Sequence, residues 1–131
     1  MRRLFRPQLL ALLVLPLVLA GCSGLRISFS PNPIVLTPDA TEIVGTVTVT
    51  GTGIGSVYVD KIVGVAYYED DTEYRREELV VKRNVPTFFG SFSREIRISL
   101  EGVDFTRLDR VELSVSGDDP GTLIIPIRIE E

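Results

Sequence analysis

The stretch that decides the fold is E-I-V-G-T-V-T-V-T, residues 42–50, in which apolar and polar side chains alternate. Three apolar residues would face one way and three threonines the other: Ile43, Val47 and Val49 against Thr46, Thr48 and Thr50. A period of two residues is typical of a strand with one buried face. We therefore predict a half-buried β-strand. The threonines are interpreted as its exposed side, in preference to an ice- or sugar-binding face.

The same alternation recurs on both sides of this stretch. A first strand begins at Leu25, breaks at S-P-N-P-I-V-L-T-P-D (residues 30–39) and resumes over Ile34 to Leu36. Further alternating segments cover residues 57–67, 79–85, 92–100, 111–115 and 123–129. About seven short strands in one small domain predict an all-β fold, a single antiparallel two-sheet sandwich.

The phase of each strand predicts which side chains form the core. We expect the core to draw on Phe29, Val47, Val49, Val65, Ile96, Ile98, Val111, Leu113, Val115, Ile125 and Ile127. Residues 57–67 keep one odd-numbered apolar phase, as one long strand or as two short ones that meet near Asp60. Arg94 interrupts an apolar face, and Pro126 fits the outward phase of an edge strand. A competing prediction is a short helix within residues 69–84, which are rich in helix formers.

This architecture resembles the immunoglobulin-like and fibronectin type III group, and S-P-N-P-I-V-L resembles the first-strand break of bacterial modules of that kind. The resemblance covers Leu25 to Ile129 and implies the sandwich layout. The chain has no tryptophan and one cysteine, so the usual buried tryptophan and disulfide are missing. No functional residue is therefore carried over from the group.

An apolar run from Leu9 to Ala20, preceded by three arginines, has the layout of a secretory signal. It is shorter than the roughly 20 residues that span a bilayer. Its end, Leu19-Ala20-Gly21-Cys22, resembles the lipobox of bacterial lipoproteins, which implies cleavage before Cys22 and lipidation of that cysteine. The predicted domains are a signal peptide (1–21), a lipidated N-terminus and tether (22–24) and the sandwich (25–131). The alternatives are an ordinary signal peptide or an uncleaved anchor helix.

The predicted location follows from this resemblance and from charge. Loss of residues 1–21 removes three of the 14 basic residues and none of the 18 acidic ones, so the net charge falls from −4 to −7. Such a domain has no basic surface for nucleic acid. We expect an exported, membrane-anchored protein held by lipid on Cys22. Ser23 resembles the outer-membrane signal of enterobacterial lipoproteins, which applies if the source has two membranes; otherwise the outer face of the cytoplasmic membrane is expected.

The residue types present favour binding over catalysis. There is no histidine, and the single cysteine is assigned to the lipid, so the common nucleophilic triads and Cys/His zinc sites are excluded. G-T-G-I-G at residues 51–55 is followed by a strand pattern and not by a phosphate-binding helix. We predict a non-enzymatic binding or scaffolding module near the membrane, with an envelope protein as its partner and without a required cofactor. A carboxylate hydrolase is a weaker hypothesis.

Two short segments are candidate sites. The acidic residues of the first could supply oxygen ligands to Ca2+, with Asp118 or Asp119 if the loops converge: Glu69, Asp70, Asp71 and Glu73. This site would make the protein a calcium- or glycan-binding display module, and the alternative is a solvated turn balanced by Arg75 and Arg76. The second segment is Phe88-Phe89, either an exposed partner contact or a cap on the core.

Overall fold

The computed structural model describes residues 24–131, and these form eight strands. The predicted signal peptide, the lipobox residues and Cys22 lie outside the described residues. The strands are β1 (Gly24–Ser30), β2 (Ile34–Leu36), β3 (Glu42–Thr52), β4 (Ser56–Tyr68), β5 (Glu73–Pro86), β6 (Ser91–Ser99), β7 (Leu108–Gly117) and β8 (Gly121–Ile129). One sheet has the order β1-β3-β6 and the other has the order β2-β8-β7-β4-β5. The predicted two-sheet sandwich is confirmed.

The proline-rich break carries the chain from one sheet to the other. β1 pairs antiparallel with β3, whereas β2 pairs in parallel with β8, with Ile34 opposite Ile127. The peptide bonds before Pro31 and Pro33 are both cis. If β1 and β2 are taken as one split strand, that strand contributes to both sheets.

The core lies between the two inner faces. Nine of the predicted core residues belong to its buried cluster: Phe29, Val47, Val49, Ile96, Ile98, Val111, Leu113, Val115 and Ile125. Ile127 is half-buried and packs against that cluster. At Gly64, a Cβ atom would lie 2.8 Å from Cδ1 of Ile96 in the facing sheet and 3.3 Å from Cδ2 of Leu113 on the neighbouring strand β7. Gly64 therefore leaves room for these two aliphatic side chains.

β4 departs from the predicted phase. Its register with both neighbours shifts between Val59 and Lys61, which marks a bulge. The inward positions are thus odd-numbered up to Val59 and even-numbered from Ile62 onward. Val65 is buried as predicted, but on the outer face, opposite Arg76 and Glu112. The predicted single odd-numbered phase was wrong, since it ignored the extra residue.

Two further features correct or refine the sequence predictions. Residues 73–86 form β5, so the competing helix is excluded there. β5 is an edge strand, and its many charged residues suit the exposed face of such a strand. A helix at this place would need an apolar surface to pack against. Pro126 points outward and faces Arg110 of β7. β2 joins the other side of β8 at the next residue, so β8 is an edge strand only up to Pro126.

Candidate functional site

The loops of the sandwich gather at two opposite ends. The Gly24 end, as we call it, carries the start of β1 and three loops, which connect β3–β4, β5–β6 and β7–β8. The Asp70 end carries the β2–β3, β4–β5 and β6–β7 loops and the end of β8. β4 runs from one end to the other. Its 13 residues give a separation of about 40 Å at the usual rise of a strand.

Arginines neutralise most of the predicted acidic cluster at the Asp70 end. Arg107 Nη2 donates to Asp70 Oδ2 at 2.7 Å, and Arg110 Nη2 donates to Asp71 Oδ1 at 2.9 Å. Glu73 forms a two-pronged ion pair with Arg76 on its own strand. Each of these three carboxylates therefore has a guanidinium partner, and Glu69 is exposed beside them.

Arg110 is the hub of this network. Its guanidinium also donates to Asp109 at 3.0 Å and to Glu112 at 2.8 Å, and it lies 4.6 Å from the ring centroid of Tyr67. Only 18% of the Arg110 side chain is exposed. Three surrounding carboxylates and partial burial fix the guanidinium in place. The planar guanidinium can bind several carboxylates at once because its N–H donors point in fixed directions.

The hydrogen bonds of this end stabilise the charged forms of its acids. The hydroxyl and amide of Thr72, with Arg107 nearby, hold the pKa of Asp70 below its usual value. The hydrogen bond from Arg76 lowers the pKa of Glu73, and the hydroxyl and amide of Thr106 lower that of Asp104. Hydrogen bonds to Glu112 and Asp109 raise the pKa of Arg110. The lowered pKa values keep Asp70, Glu73 and Asp104 ionised at neutral pH, so none of these three is poised to exchange a proton.

Asp118 and Asp119 do not join the acidic turn. Both lie at the Gly24 end, where Asp118 Oδ2 accepts from the amide of Tyr58 at 3.0 Å and Asp119 Oδ2 from that of Leu25 at 2.8 Å. The suggested convergence of the two loops was therefore wrong. Within residues 24–131, no group of three or more His, Cys, Asp or Glu residues is arranged to hold a metal ion. The calcium site itself stays a prediction.

Aromatic and basic side chains that the sequence did not single out complete the Asp70 end. Tyr68 and Tyr74 pack ring against ring at 5.5 Å, and Arg107 lies 4.5 Å over the Tyr68 ring. Tyr74 Oη donates to the carbonyl of Glu101 at 2.5 Å. Arg75 donates to the same carbonyl at 3.1 Å. The sequence had suggested that Arg75 balances the charge of the acidic turn, and it does not do so. No pattern in the sequence connects the 67–76 and 101–110 segments, so only strand pairing could have found this cluster.

Phe88 and Phe89 lie at the Gly24 end, in the turn between β5 and β6. Their rings contact each other at 4.2 Å, and 73% of Phe88 and 89% of Phe89 is exposed. Neither residue caps the core, and their role as a partner contact stays a prediction. Ile54, at the tip of the adjacent β3–β4 loop, is also 73% exposed.

The turn that carries the phenylalanines is held tightly to its neighbours. The amide of Gly51 donates to the carbonyl of Gly90 at 2.9 Å. A Cβ atom at Gly90 would lie 2.0 Å from the carbonyl oxygen of Pro86, and one at Gly51 would lie 2.4 Å from the same atom. Phe89 adopts a φ of 64°, which is uncommon for a residue with a side chain. The aromatic pair is thus presented by a compact turn.

Two pockets among the described residues have an acidic side chain in their lining. A pocket of about 380 Å3 at the Asp70 end is lined by Pro38, Phe105, Thr106, Leu108, Ile129 and Glu131. Glu131 supplies its one acidic side chain, whereas the hydrolysis of a glycosidic bond needs two. A second pocket of about 290 Å3 lies beside Ser99 and Glu101. Neither pocket brings together an acid–base pair.

No family model and no curated protein matches the chain. Among solved structures, the ligand-binding region of serine-glutamate repeat protein A of Enterococcus faecium has a TM-score of 0.37 and 18% identity, covering 81% of this chain and 98% of that one. The sporulation control protein Spo0M of Bacillus subtilis has a TM-score of 0.36 and 19% identity, and the match covers 85% of this chain and half of that one. Among residues 24–131, no helix is long and apolar enough to cross a membrane.

Proposed function

We propose that this protein is a lipid-anchored, non-enzymatic module of the cell envelope that binds or scaffolds a partner near the membrane surface. The proposal joins two independent features. The first is the sequence Leu19-Ala20-Gly21-Cys22, which resembles a lipobox. The second is the sandwich, of which the two pockets described above hold no acid–base pair and suit protein contact better than catalysis.

The single observation that carries the proposal is the place where the sandwich begins. Gly24 already pairs with Thr52 at one end of the β1–β3 ladder, so the fold starts two residues after Cys22. A tether of this length spans about 10 Å or less. Lipid on Cys22 would therefore hold the Gly24 end against the membrane, because the tether between Cys22 and Gly24 is too short to let the domain move away.

The same geometry turns the Asp70 end outward. That end lies about 40 Å along β4 from the Gly24 end. It presents ordered charges and tyrosines, including Arg107, Arg110 and Tyr68, which are residue types enriched at protein interfaces. We assign the partner-binding role to this end, for an envelope protein that rises from or lies above the same membrane. Export to the outer membrane, or to the outer face of the cytoplasmic membrane, is part of the proposal.

Cell fractionation with two matched variants tests the proposal. Cys22→Ala removes the lipid acceptor and should leave an unprocessed precursor that takes up no labelled fatty acid. Ser23→Ala, one residue further on, should be processed and labelled as the parent protein is. Fatty-acid label on the Cys22→Ala protein, or normal processing of it, would contradict the proposed anchor.

A further inference from the structure

The Gly24 end carries exposed aromatic side chains that the binding role assigned to the Asp70 end leaves unexplained. Phe88 and Phe89 are the two most exposed phenylalanines of the described chain, and Ile54 lies in the neighbouring loop. Exposed apolar groups of this size at one place mark a contact surface for a protein or a membrane. The question is which of these two partners the surroundings favour.

The position of the start of β1 answers part of this question. In the three-stranded sheet, Gly24 lies opposite Thr52 of β3, and on the other side of β3, Thr50 lies opposite Ser91. Two strand spacings thus separate Gly24 from the turn that holds Phe89, a distance of about 10 Å. Cys22, the proposed lipid acceptor, precedes Gly24 by two residues and so joins the sandwich at this same end.

Thr87 fixes the two apolar loops to each other. It is buried, and both its amide and its hydroxyl donate to the carbonyl oxygen of Gly55, at 2.9 Å and 2.8 Å. Gly55 is the residue after Ile54, so the three apolar side chains of these two loops belong to one connected surface. This surface, Ile54 with Phe88 and Phe89, is called the apolar tip below.

The segments that form the apolar tip carry no charge of their own. Residues 43–59 and 84–93, which form the apolar tip and the strands that lead to it, contain no charged residue at all. The turn at the other end of β4, residues 69–73, contains four carboxylates. The β7–β8 loop at the same end carries two acids, the exposed Asp118 and the half-buried Asp119, whose charges are solvated by hydrogen bonds from backbone amides and would lie outside the lipid, beside the tip. An interface with lipid excludes unpaired charge far more strongly than a wet protein interface does.

Two arginines lie behind the apolar tip, at the depth where lipid phosphates would lie. Arg26 is opposite Thr50 in β1–β3, and Arg83 is opposite Val59 in β5–β4, with its guanidinium 5.2 Å from the ring centroid of Phe92. Both are a few residues from the loop tips. Aromatic side chains in the interface, followed by basic side chains at headgroup level, are typical of interfacial membrane contact.

We propose that the apolar tip inserts into the lipid interface and orients the domain upright, with the Asp70 end pointing away from the bilayer. This inference rests on the proposed lipid anchor and adds a second contact to it. The lipid then sets the location of the domain, while Phe88, Phe89 and Ile54 set its direction. A protein that bound the apolar tip instead would leave Phe89 shielded from lipid.

The absence of tryptophan from the chain gives a direct test. A Phe89→Trp variant places the sole tryptophan at the apolar tip, at a site so exposed that folding is unaffected. A Phe105→Trp variant places it in the β6–β7 loop of the Asp70 end. Each mature lipoprotein is reconstituted into phosphatidylcholine vesicles, with and without lipids brominated near the headgroup end of their acyl chains, and tryptophan emission is measured.

The expected result is strong quenching by the brominated lipids in the Phe89→Trp protein, several-fold greater than in the Phe105→Trp protein. Equal quenching in both variants would mean that the domain lies flat, and would overturn the inference. So would the lack of lipid quenching in a Phe89→Trp protein that co-sediments with the vesicles. That last outcome leaves the anchor intact, whereas a protein that fails to co-sediment with vesicles would refute the anchor itself.

Discussion

Thr87 donates two hydrogen bonds to a single acceptor, the carbonyl oxygen of Gly55, one from its amide nitrogen and one from its hydroxyl. It is the one polar residue among the buried side chains of the described chain. A buried hydroxyl is tolerated when it is hydrogen-bonded, and here the bond joins the β3–β4 and β5–β6 loops. The orientation of the apolar tip therefore depends on a residue that is itself hidden from solvent.

Thr87→Val tests this coupling, because it keeps the shape of the side chain and removes the hydroxyl. The hydrogen bond from the Thr87 amide to the Gly55 carbonyl remains, so that carbonyl keeps one donor. We therefore expect a loss of about 1 kcal/mol in the free energy of unfolding. Thermal unfolding of the detergent-solubilised mature protein measures the change. Thr46→Val on the exposed face of β3 is the control and should leave stability nearly unchanged. Equal effects at both sites would show that the Thr87 hydroxyl has no special role.

Leu113 is fully buried between the two sheets, and its side chain packs against the backbone of Gly64. Leu113→Ala should lower the free energy of unfolding by about 2–5 kcal/mol, since the cavity closes only partly. Ile124→Ala removes a similar side chain that is exposed on the outer face of β8 and should change stability by less than about 0.5 kcal/mol. Urea titration compares the two. A small effect at Leu113 would contradict the assigned inner face of β7.

The hydrogen bonds from the hydroxyl and amide of Thr72 to Asp70, together with its ion pair with Arg107, predict a dependence on pH. The pKa of Asp70 is lowered in the folded state, so its carboxylate stabilises the fold above its ordinary pKa of 3.8, and this contribution disappears as the pH falls through the lower folded value. Asp70→Asn should thus lower the melting temperature at neutral pH but not at about pH 2. The control is Glu69→Gln, an exposed neighbour without an ion pair in the described chain, which should show little change at either pH. A constant difference for Asp70→Asn would argue against an electrostatic origin.

Calcium titration separates the proposed function from the display-module alternative. Asp70, Asp71 and Glu73 already have arginine partners, so Ca2+ would have to displace a guanidinium from each. We expect millimolar Ca2+ to leave the melting temperature unchanged, because a ligand raises it only when it binds the folded state. A clear rise that Mg2+ does not reproduce, and that Asp70→Asn abolishes, would support the calcium site instead.

The sequence was sufficient to predict the sheets because strand alternation is a local property. The alternation of the neighbouring residues predicts which face of its strand Val47 or Leu113 occupies. The prolines at positions 31 and 33 indicate the break between β1 and β2. The bulge at Asp60 could not be found in this way. One extra residue reverses the faces of everything after it, and no residue type there signals the insertion.

The candidate sites were harder to predict, because they depend on which strands become neighbours. The sequence places Asp70 far from Arg107 and Gly24 far from Phe89; sheet order brings each pair to one end. The exposed state of Phe88 and Phe89 was left open for the same reason. A flanking proline and glycine indicate a turn, but they do not say whether the turn covers the core or extends beyond it.

The most direct test of the central claim, a domain tied to the membrane at the Gly24 end, is mass spectrometry of the N-terminal peptide of the protein purified from membranes. The account predicts a peptide that begins at Cys22, continues through Ser23 and Gly24 and carries a diacylglyceryl group on the cysteine sulfur. A peptide that retains Leu19-Ala20-Gly21, or one that begins at Cys22 with an unmodified thiol, would contradict it.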